Sequence, residues 1–89
     1  MMDAGWLNSF REKLDKFYAW PSLYTFKFIV PSGKEGDVKN LFPLHTTVTE
    51  KSSETGKYVS LTYQMMMPSS ASVIDVYQKA SVIEGLIAL

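Results

Sequence analysis

The segment from Gly56 to Met67, GKYVSLTYQMMM, has the longest strand pattern in the chain. Its residues alternate between an apolar face and a mostly polar face: Val59, Leu61, Tyr63 and Met65 against Tyr58, Ser60, Thr62, Gln64 and Met66. A period of two with one apolar side is typical of a strand in a sheet that is covered on one face only. The rest of the chain must therefore provide neighbouring strands and the helices that cover the apolar face.

Composition restricts the class of protein. The 89 residues, 46% of them hydrophobic, suit one folded domain. The nine basic and nine acidic residues balance and form no block, whereas a general nucleic-acid binder needs a basic excess to neutralise phosphates. The absence of cysteine excludes disulfides, thiolate metal sites and cysteine nucleophiles. Because no apolar run approaches the ~20 residues of a membrane helix and the start lacks a secretion-signal pattern, we expect a cytoplasmic protein that does not contact a membrane.

A first helix is predicted from Ser9 to Tyr18. Ser9 and Glu12 have the spacing of a capping box, in which each side chain satisfies a free backbone N–H at the start of the helix. Pro21 disfavours helical geometry at Trp20 and so ends the element. The apolar residues share one face: Phe10, Leu14, Phe17 and Tyr18. This face either packs on its own domain or contacts a second subunit.

A strand, a short helix and an edge strand are predicted next. In the strand at residues 23–30 the large side chains share one face: Tyr24, Phe26, Phe28 and Val30. Pro31 ends this strand, and Ser32, with Glu35 three residues later, is expected to cap the short helix. Residues 44–53 are β-branched but mostly polar, which is typical of an edge strand.

The second half of the chain completes a repeating pattern. A turn at residues 54–56 joins the edge strand to GKYVSLTYQMMM in a hairpin. Pro68, Ser69 and Ser70 are expected to open a second helix, and residues 83–89 to form the last strand. After the first helix, the order of elements is therefore β-α-β-β-α-β.

This order predicts an α+β fold of the ferredoxin-like type. Right-handed crossovers put the first and third strands in the middle of a four-stranded antiparallel sheet with the order 4-1-3-2 and with both helices on one face. Residues 1–21 then form an N-terminal helical extension, and residues 22–89 form the ferredoxin-like domain.

Three stretches, WPSLYTFKFIV, KSSETGKYVSLT and VIDVYQKASVIEGLIAL, resemble the YbeD-like family of small bacterial proteins, which is classed as a domain of unknown function. The resemblance covers about residues 13–89 and is most specific in the hairpin, at Ser52, Ser53, Gly56, Tyr58 and Ser60. It implies a fold similar to the ACT-type regulatory domains, which bind small metabolites between paired subunits. The chain departs from the family in a shorter first helix and a hairpin turn that is one residue longer.

Few residues point to catalysis. His45, the only histidine, lies between a predicted helix and the edge strand, where a surface position is expected, and no second histidine or cysteine is present to complete a metal site with it. The carboxylates lie on different predicted elements: Asp37, Glu50, Glu54, Asp75 and Glu84. We therefore expect a protein that is not an enzyme and that holds neither a metal nor a cofactor.

The candidate ligand-binding residues lie on the open face of the sheet and at the hairpin: Lys27, Ser52, Ser53, Gly56, Tyr58, Ser60 and Thr62. We expect a regulatory or interaction module whose partner is a small metabolite, another protein or a second copy of the chain. The alternative is a nucleic-acid-binding module in which Tyr58, beside Lys27, stacks a base on the open face. The charge balance argues against that alternative.

Two further segments have more than one interpretation. The start of the short helix, PSGKEG at residues 31–36, is either a plain turn and cap or an anion-binding helix terminus. At the end of the central strand, Met65 is expected in the core, with Met66 and Met67 near the strand end. Because methionine adapts to irregular surfaces, these two residues are also candidates for an interface.

Overall fold

The computed structural model describes residues 4–44 and 46–89. Its elements follow in the order α1 (Ala4–Phe17), β1 (Ser22–Pro31), α2 (Glu35–Lys39), β2 (Thr47–Ser52), β3 (Tyr58–Met67), α3 (Ser70–Ala80) and β4 (Ile87–Ala88). His45, and with it the prediction of a surface histidine, lies outside the described residues. None of the helices described has both the length and the apolar character needed to cross a membrane.

The strands form one antiparallel sheet in the order β2-β3-β1-β4, which counted from the opposite edge is β4-β1-β3-β2. β1 and β3 pair along their full length, from Ser22 opposite Met67 to Pro31 opposite Tyr58. They occupy the centre because a central strand can bury a row of large side chains over its whole length. β2, whose residues are all exposed, lies at an edge as its polar sequence predicts. The predicted α+β class and four-stranded antiparallel sheet are therefore confirmed.

The core lies between one face of the sheet and the helices. The buried residues of the two central strands are Tyr24, Phe26, Phe28, Val30, Val59, Leu61, Tyr63 and Met67. The helices cover them with Leu14, Val38, Val73, Ile74, Tyr77 and Ala80. Each large side chain that is fully buried contributes roughly 1.5–3 kcal/mol to stability. No described helix covers the opposite face of the sheet.

The first helix begins earlier than predicted. α1 starts at Ala4 and spans 14 residues, so Ser9 is an exposed interior residue and the capping-box prediction is wrong. Leu7, one turn before Phe10, packs against the core together with Phe10 and Leu14. Tertiary packing of an apolar face supplies most of the stability of a helix in a protein, and here it adds a turn that precedes Ser9.

The apolar face of α1 packs on its own domain, but Phe17 does not take part. The Phe10 ring meets the Tyr77 ring of α3 edge-on, with centroids 5.5 Å apart. Phe17 is 75% exposed, so its predicted place on the buried face is wrong. After the helix has ended, Tyr18 and Trp20 stack 5.3 Å apart and pack on the core, which leaves Phe17 in solvent.

The short helix is not capped by Ser32. α2 begins at Glu35, and Lys34 occupies the position before it without a capping hydrogen bond from its side chain. The Ser32 N–H instead donates to the Lys57 carbonyl oxygen at 2.9 Å. Ser32 therefore forms its hydrogen bond with the turn between β2 and β3, and the predicted capping box with Glu35 is wrong.

The last strand is much shorter than the predicted segment 83–89. β4 consists of Ile87 and Ala88, opposite Ile29 and Phe28 of β1. The preceding residues form turns, in which Ile83 N–H donates to the Ala80 carbonyl at 3.0 Å. Ile83 and Leu86 pack against the core from these turns, so their apolar character reflects packing and not strand structure.

The methionine end of β3 follows the alternation of the strand. Met65 is partly buried and packs against the core, and Met67 is only 4% exposed, whereas Met66 is 58% exposed. Met65 packs against the core as predicted, but Met67, which was not predicted to be in the core, is the more deeply buried residue. Met66 lies opposite Leu23, which is also exposed, on the uncovered face of the sheet.

Candidate binding groove on the open sheet face

The uncovered face of the sheet, hereafter the open face, carries every second residue of each strand. Because paired residues in an antiparallel sheet point to the same side, the strand register aligns them in rows. One row crosses the whole sheet: Lys51 of β2, Ser60 of β3, Ile29 of β1 and Ile87 of β4. The next row consists of Thr49, Thr62 and Lys27.

A groove of about 390 Å³ follows the first row. It is lined by Ile29, Lys51, Ser52, Ser53, Tyr58, Ser60 and Ile87. This volume lies toward the lower end of the roughly 300–1,000 Å³ that is usual for small-molecule sites. Nearly all of its exposed surface is contributed by carbon atoms. Tyr58 is 47% and Ile87 is 51% exposed, so both residues contribute accessible surface to the groove.

The hairpin fixes the position of Tyr58, which lies on β3 two residues before Ser60. The Ser53 N–H donates to the Tyr58 carbonyl oxygen at 2.9 Å, and the Tyr58 N–H donates to Ser53 Oγ at 3.2 Å. Ser60 Oγ donates to the Lys51 carbonyl oxygen at 3.4 Å, and its lone pairs remain able to accept a hydrogen bond from a ligand. The polar side of the groove is therefore built on the two strands of the hairpin.

The turn of this hairpin is joined to the end of β1. Gly56 has φ +74°, a left-handed conformation that glycine adopts without a steric cost. Its N–H donates to the Ser53 carbonyl at 3.0 Å, and its own carbonyl accepts a hydrogen bond from the Ser32 hydroxyl. Gly56 therefore has a structural role in the turn, beside the groove and not within it.

β4 forms the wall at the other end of the groove. Ile87 lies opposite Ile29, and the turn before it contains Gly85 with φ +79°. A Cβ atom at Gly85 would lie 2.7 Å from Pro31 Cγ, which shows how closely this turn approaches the end of β1. Next to this close approach, Ile87 pairs with Ile29 at the edge of the sheet, although β4 has only two residues.

The structure brings together four of the seven predicted site residues, since Ser52, Ser53, Tyr58 and Ser60 all line the groove. Lys27 and Thr62 lie opposite each other in the neighbouring row of the open face, and Gly56 lies in the turn. Sequence reasoning missed Ile29, Lys51 and Ile87 as members of the site. The alternation of β1 does place Ile29 on the open face, but only the strand register shows that Lys51 and Ile87 share its row.

The acidic groups that lie near lysines are on other surfaces. Lys39 Nζ is 3.1 Å from Glu50 Oε1, and Lys79 Nζ is 3.0 Å from Asp75 Oδ2 within α3. Glu50 lies opposite the buried Leu61 and therefore belongs to the helix side of the sheet. No carboxylate is among the described residues that line the groove.

The start of α2 interacts with a carboxylate of the chain itself. The Gly33 N–H donates to Glu35 Oε1. Hydrogen bonds from the backbone N–H groups of Glu35 itself and of Gly33 hold the pKa of this carboxyl below its usual value. Of the two interpretations of residues 31–36, this arrangement favours a plain turn over an anion-binding terminus.

No cluster suitable for a metal ion occurs within residues 4–44 and 46–89, where groups of three or more histidine, aspartate or glutamate side chains are absent. The predicted scatter of carboxylates over several elements is confirmed for Glu50 and Asp75, which lie on β2 and α3. The site that the described residues form is a groove with a mostly carbon surface, lined by one lysine and several residues with hydroxyl groups.

Comparison with known proteins assigns the family. Neither a curated protein nor a solved structure matches the chain at a significant level. A family model described as "protein of unknown function (DUF493)", the YbeD-like family, matches residues 15–88. This range contains the whole sheet and all the residues that line the groove. The match confirms the resemblance seen in the sequence, and the chain belongs to the DUF493 family of proteins of unknown function.

Proposed function

We propose that the protein is a non-enzymatic regulatory or interaction module that binds a small molecule in the groove on its open face. The observation that carries this proposal is the groove itself, about 390 Å³ in volume, on a sheet face that no described helix covers. Apolar walls with a few polar groups that can orient a ligand are the usual composition of small-molecule sites.

The arrangement of the elements supports the proposal at the level of the fold. The order β-α-β-β-α-β from β1 to β4 and the sheet order β4-β1-β3-β2 are consistent with the ferredoxin-like arrangement. The resemblance to the YbeD-like family implies a fold similar to the ACT-type regulatory domains, which have this arrangement. Since a fold alone does not assign a function, the groove remains the main support.

The chemistry of the lining residues favours binding over catalysis. The lining includes Lys51 and several residues with hydroxyl groups around a surface that is mostly carbon. General acid–base catalysis requires a suitably titrating acid or base within hydrogen-bond reach of the substrate. None of the described lining residues is a carboxylate that could act with Lys51 as an acid–base pair.

The test is a thermal-shift screen of the purified protein against amino acids, nucleotides and carboxylic acids, repeated with two variants. Ser60→Phe fills the groove from its centre, and Thr47→Phe adds the same side chain to the open face at β2, away from the groove. A ligand at 100 times its Kd stabilises the native state by roughly 2.7 kcal/mol, which raises Tm by about 10 °C or more in a domain of this size.

We expect the ligand that stabilises the wild type to lose its effect on Ser60→Phe and to keep it on Thr47→Phe. A ligand that stabilises both variants equally would bind elsewhere and would contradict the assignment to the groove. If no compound of the panel shifts Tm, the small-molecule proposal fails, and a protein partner becomes the occupant to test.

A second candidate function is binding of single-stranded nucleic acid, which the exposed Tyr58 ring on a face with Lys27 and Lys51 favours. Binding of a short RNA that weakens steeply with salt and is lost in Tyr58→Ala would support it. If a fluorescent oligonucleotide does not bind at low salt, this candidate is excluded.

A further inference from the structure

We infer that the groove selects a small anion with an apolar body, its acidic head beside Lys51 and its apolar end between Ile29 and Ile87. This inference rests on the proposed function, because it assigns the ligand of the same groove. It adds the sign of the charge, the orientation and the length of the ligand.

The groove is polarised along the row that crosses the sheet. Lys51 is at the β2 edge, Ser60 lies next to it, and Ile29 and Ile87 complete the row at the β4 edge. Neighbouring strands are about 4.8 Å apart, so the row from β2 to β4 measures roughly 14 Å. A ligand with one polar end and one apolar end, shorter than this distance, matches the row.

The charge at the polar end is not neutralised within the described molecule. Two other lysines make ion pairs, Lys39 with Glu50 and Lys79 with Asp75. Neither Lys51 nor Lys27, which lies in the next row, makes an ion pair with a described residue. The strand residues of the open face include no aspartate or glutamate, so this face attracts an anion.

The same charges argue against a second copy of the chain as the occupant. If two open faces packed together, each would bring Lys27 and Lys51 to a surface whose strands carry no carboxylate. Burying unpaired charges is unfavourable. A small acid, in contrast, supplies the missing counter-charge and covers the exposed carbon surface of Tyr58 and Ile87.

The experiment compares probes that differ mainly in the head group: 3-phenylpropionate, 2-phenylethyl phosphate, 3-phenylpropanol and 3-phenylpropylamine. Each is titrated into ¹⁵N-labelled protein, and amide shifts in two-dimensional NMR spectra locate the site. Lys51→Met removes the positive charge at the β2 end of the row, and Lys79→Met removes one positive charge from α3 as the matched control.

We expect the acid to shift the amides of Ile29, Tyr58, Ser60 and Ile87, and to bind up to about fivefold more tightly than the alcohol, since an exposed ion pair is worth up to about 1 kcal/mol. Lys51→Met should remove this preference, and Lys79→Met should keep it. The relative affinities of the carboxylate and phosphate probes indicate which acidic head the groove prefers.

Two outcomes would overturn the inference in different ways. If the amine or the alcohol binds the groove as tightly as the acids, the charge selection is wrong while the groove remains a binding site. If no probe at millimolar concentration shifts the groove amides, the inference and the proposed small-molecule site both fail.

Discussion

Gly85 allows the turn before β4 to pack closely against the end of β1. Its φ of +79° lies in the left-handed region, where a side chain is strained. A Cβ atom there would also lie 2.7 Å from Pro31 Cγ and 3.1 Å from Pro31 Cδ. The rigid proline ring cannot move away as a flexible side chain would, so this position combines backbone strain with a collision.

We predict that Gly85→Ala lowers the free energy of unfolding by about 2–3 kcal/mol, of which roughly 1–2 kcal/mol is backbone strain. The control is Gly56→Ala, where φ is +74° but no atom lies within 4 Å of the added Cβ, so that strain alone remains. Urea unfolding of both variants measures the difference. A loss at Gly85 no larger than at Gly56 would contradict the collision with Pro31.

Among the helices, two serines show how context decides which residue becomes a cap. Both Ser9 and Ser69 precede apolar helical patterns in the sequence. Ser69 has extended backbone geometry, and its Oγ accepts a hydrogen bond from the Ser72 N–H at 3.2 Å. Ser9 lies within α1, because packing of Leu7 on the core extends the helix past it.

We predict that Ser69→Ala lowers the free energy of unfolding by about 1 kcal/mol, because the Ser72 N–H at the start of α3 loses its hydrogen-bond acceptor. Ser9→Ala is the matched control and should be neutral or stabilising by a few tenths of a kcal/mol, since alanine is the better helix former at an exposed interior position. Chemical denaturation followed by circular dichroism measures both. A destabilised Ser9→Ala would mean that Ser9 does cap the helix.

For the whole molecule, buried tyrosines link stability to pH. Burial raises the pKa of Tyr24, Tyr63 and Tyr77, and it is the largest cause at each. The hydroxyls of Tyr24 and Tyr77 lie 3.2 Å apart and share a hydrogen bond, while the buried Tyr63 hydroxyl has no hydrogen-bond partner within the described structure. All three therefore favour the neutral form in the folded protein.

The consequence is a loss of stability in alkali. Below about pH 10 the three tyrosines are neutral in both the folded and the unfolded protein. Above about pH 10 the tyrosines of the unfolded chain ionise, whereas burial opposes ionisation of the same residues in the folded protein. We predict that the free energy of unfolding falls as the pH rises above about 10. Removing one such group, in Tyr77→Phe, should reduce the slope by up to about 1.4 kcal/mol per pH unit.

Urea unfolding of the wild type and of Tyr77→Phe between pH 8 and pH 11 measures the two slopes. Equal slopes for the wild type and Tyr77→Phe would show that the hydroxyl of Tyr77 ionises as readily in the folded protein as in the unfolded chain.

Local patterns were enough to predict the sheet and half of the site. In β1 and β3 a side chain's face follows from its position in the strand alone, so the buried Phe26 and Leu61 and the open-face Tyr58 and Ser60 could be assigned without any tertiary contact. The polarity of residues 47–52 likewise placed β2 at an edge.

The remaining features depend on which distant residues meet. Packing of a side chain on the core can stabilise the end of a helix as much as a capping hydrogen bond does. The contact of Leu7 with the core therefore extends α1 to a start before Ser9. Lys51 and Ile87 line the groove because the strand register places them in the same row as Ser60 and Ile29. The hairpin sets the register of Lys51, and the turn at Gly85, which packs against Pro31, sets that of Ile87. Register is a property of paired strands, and a single strand's alternation does not contain it.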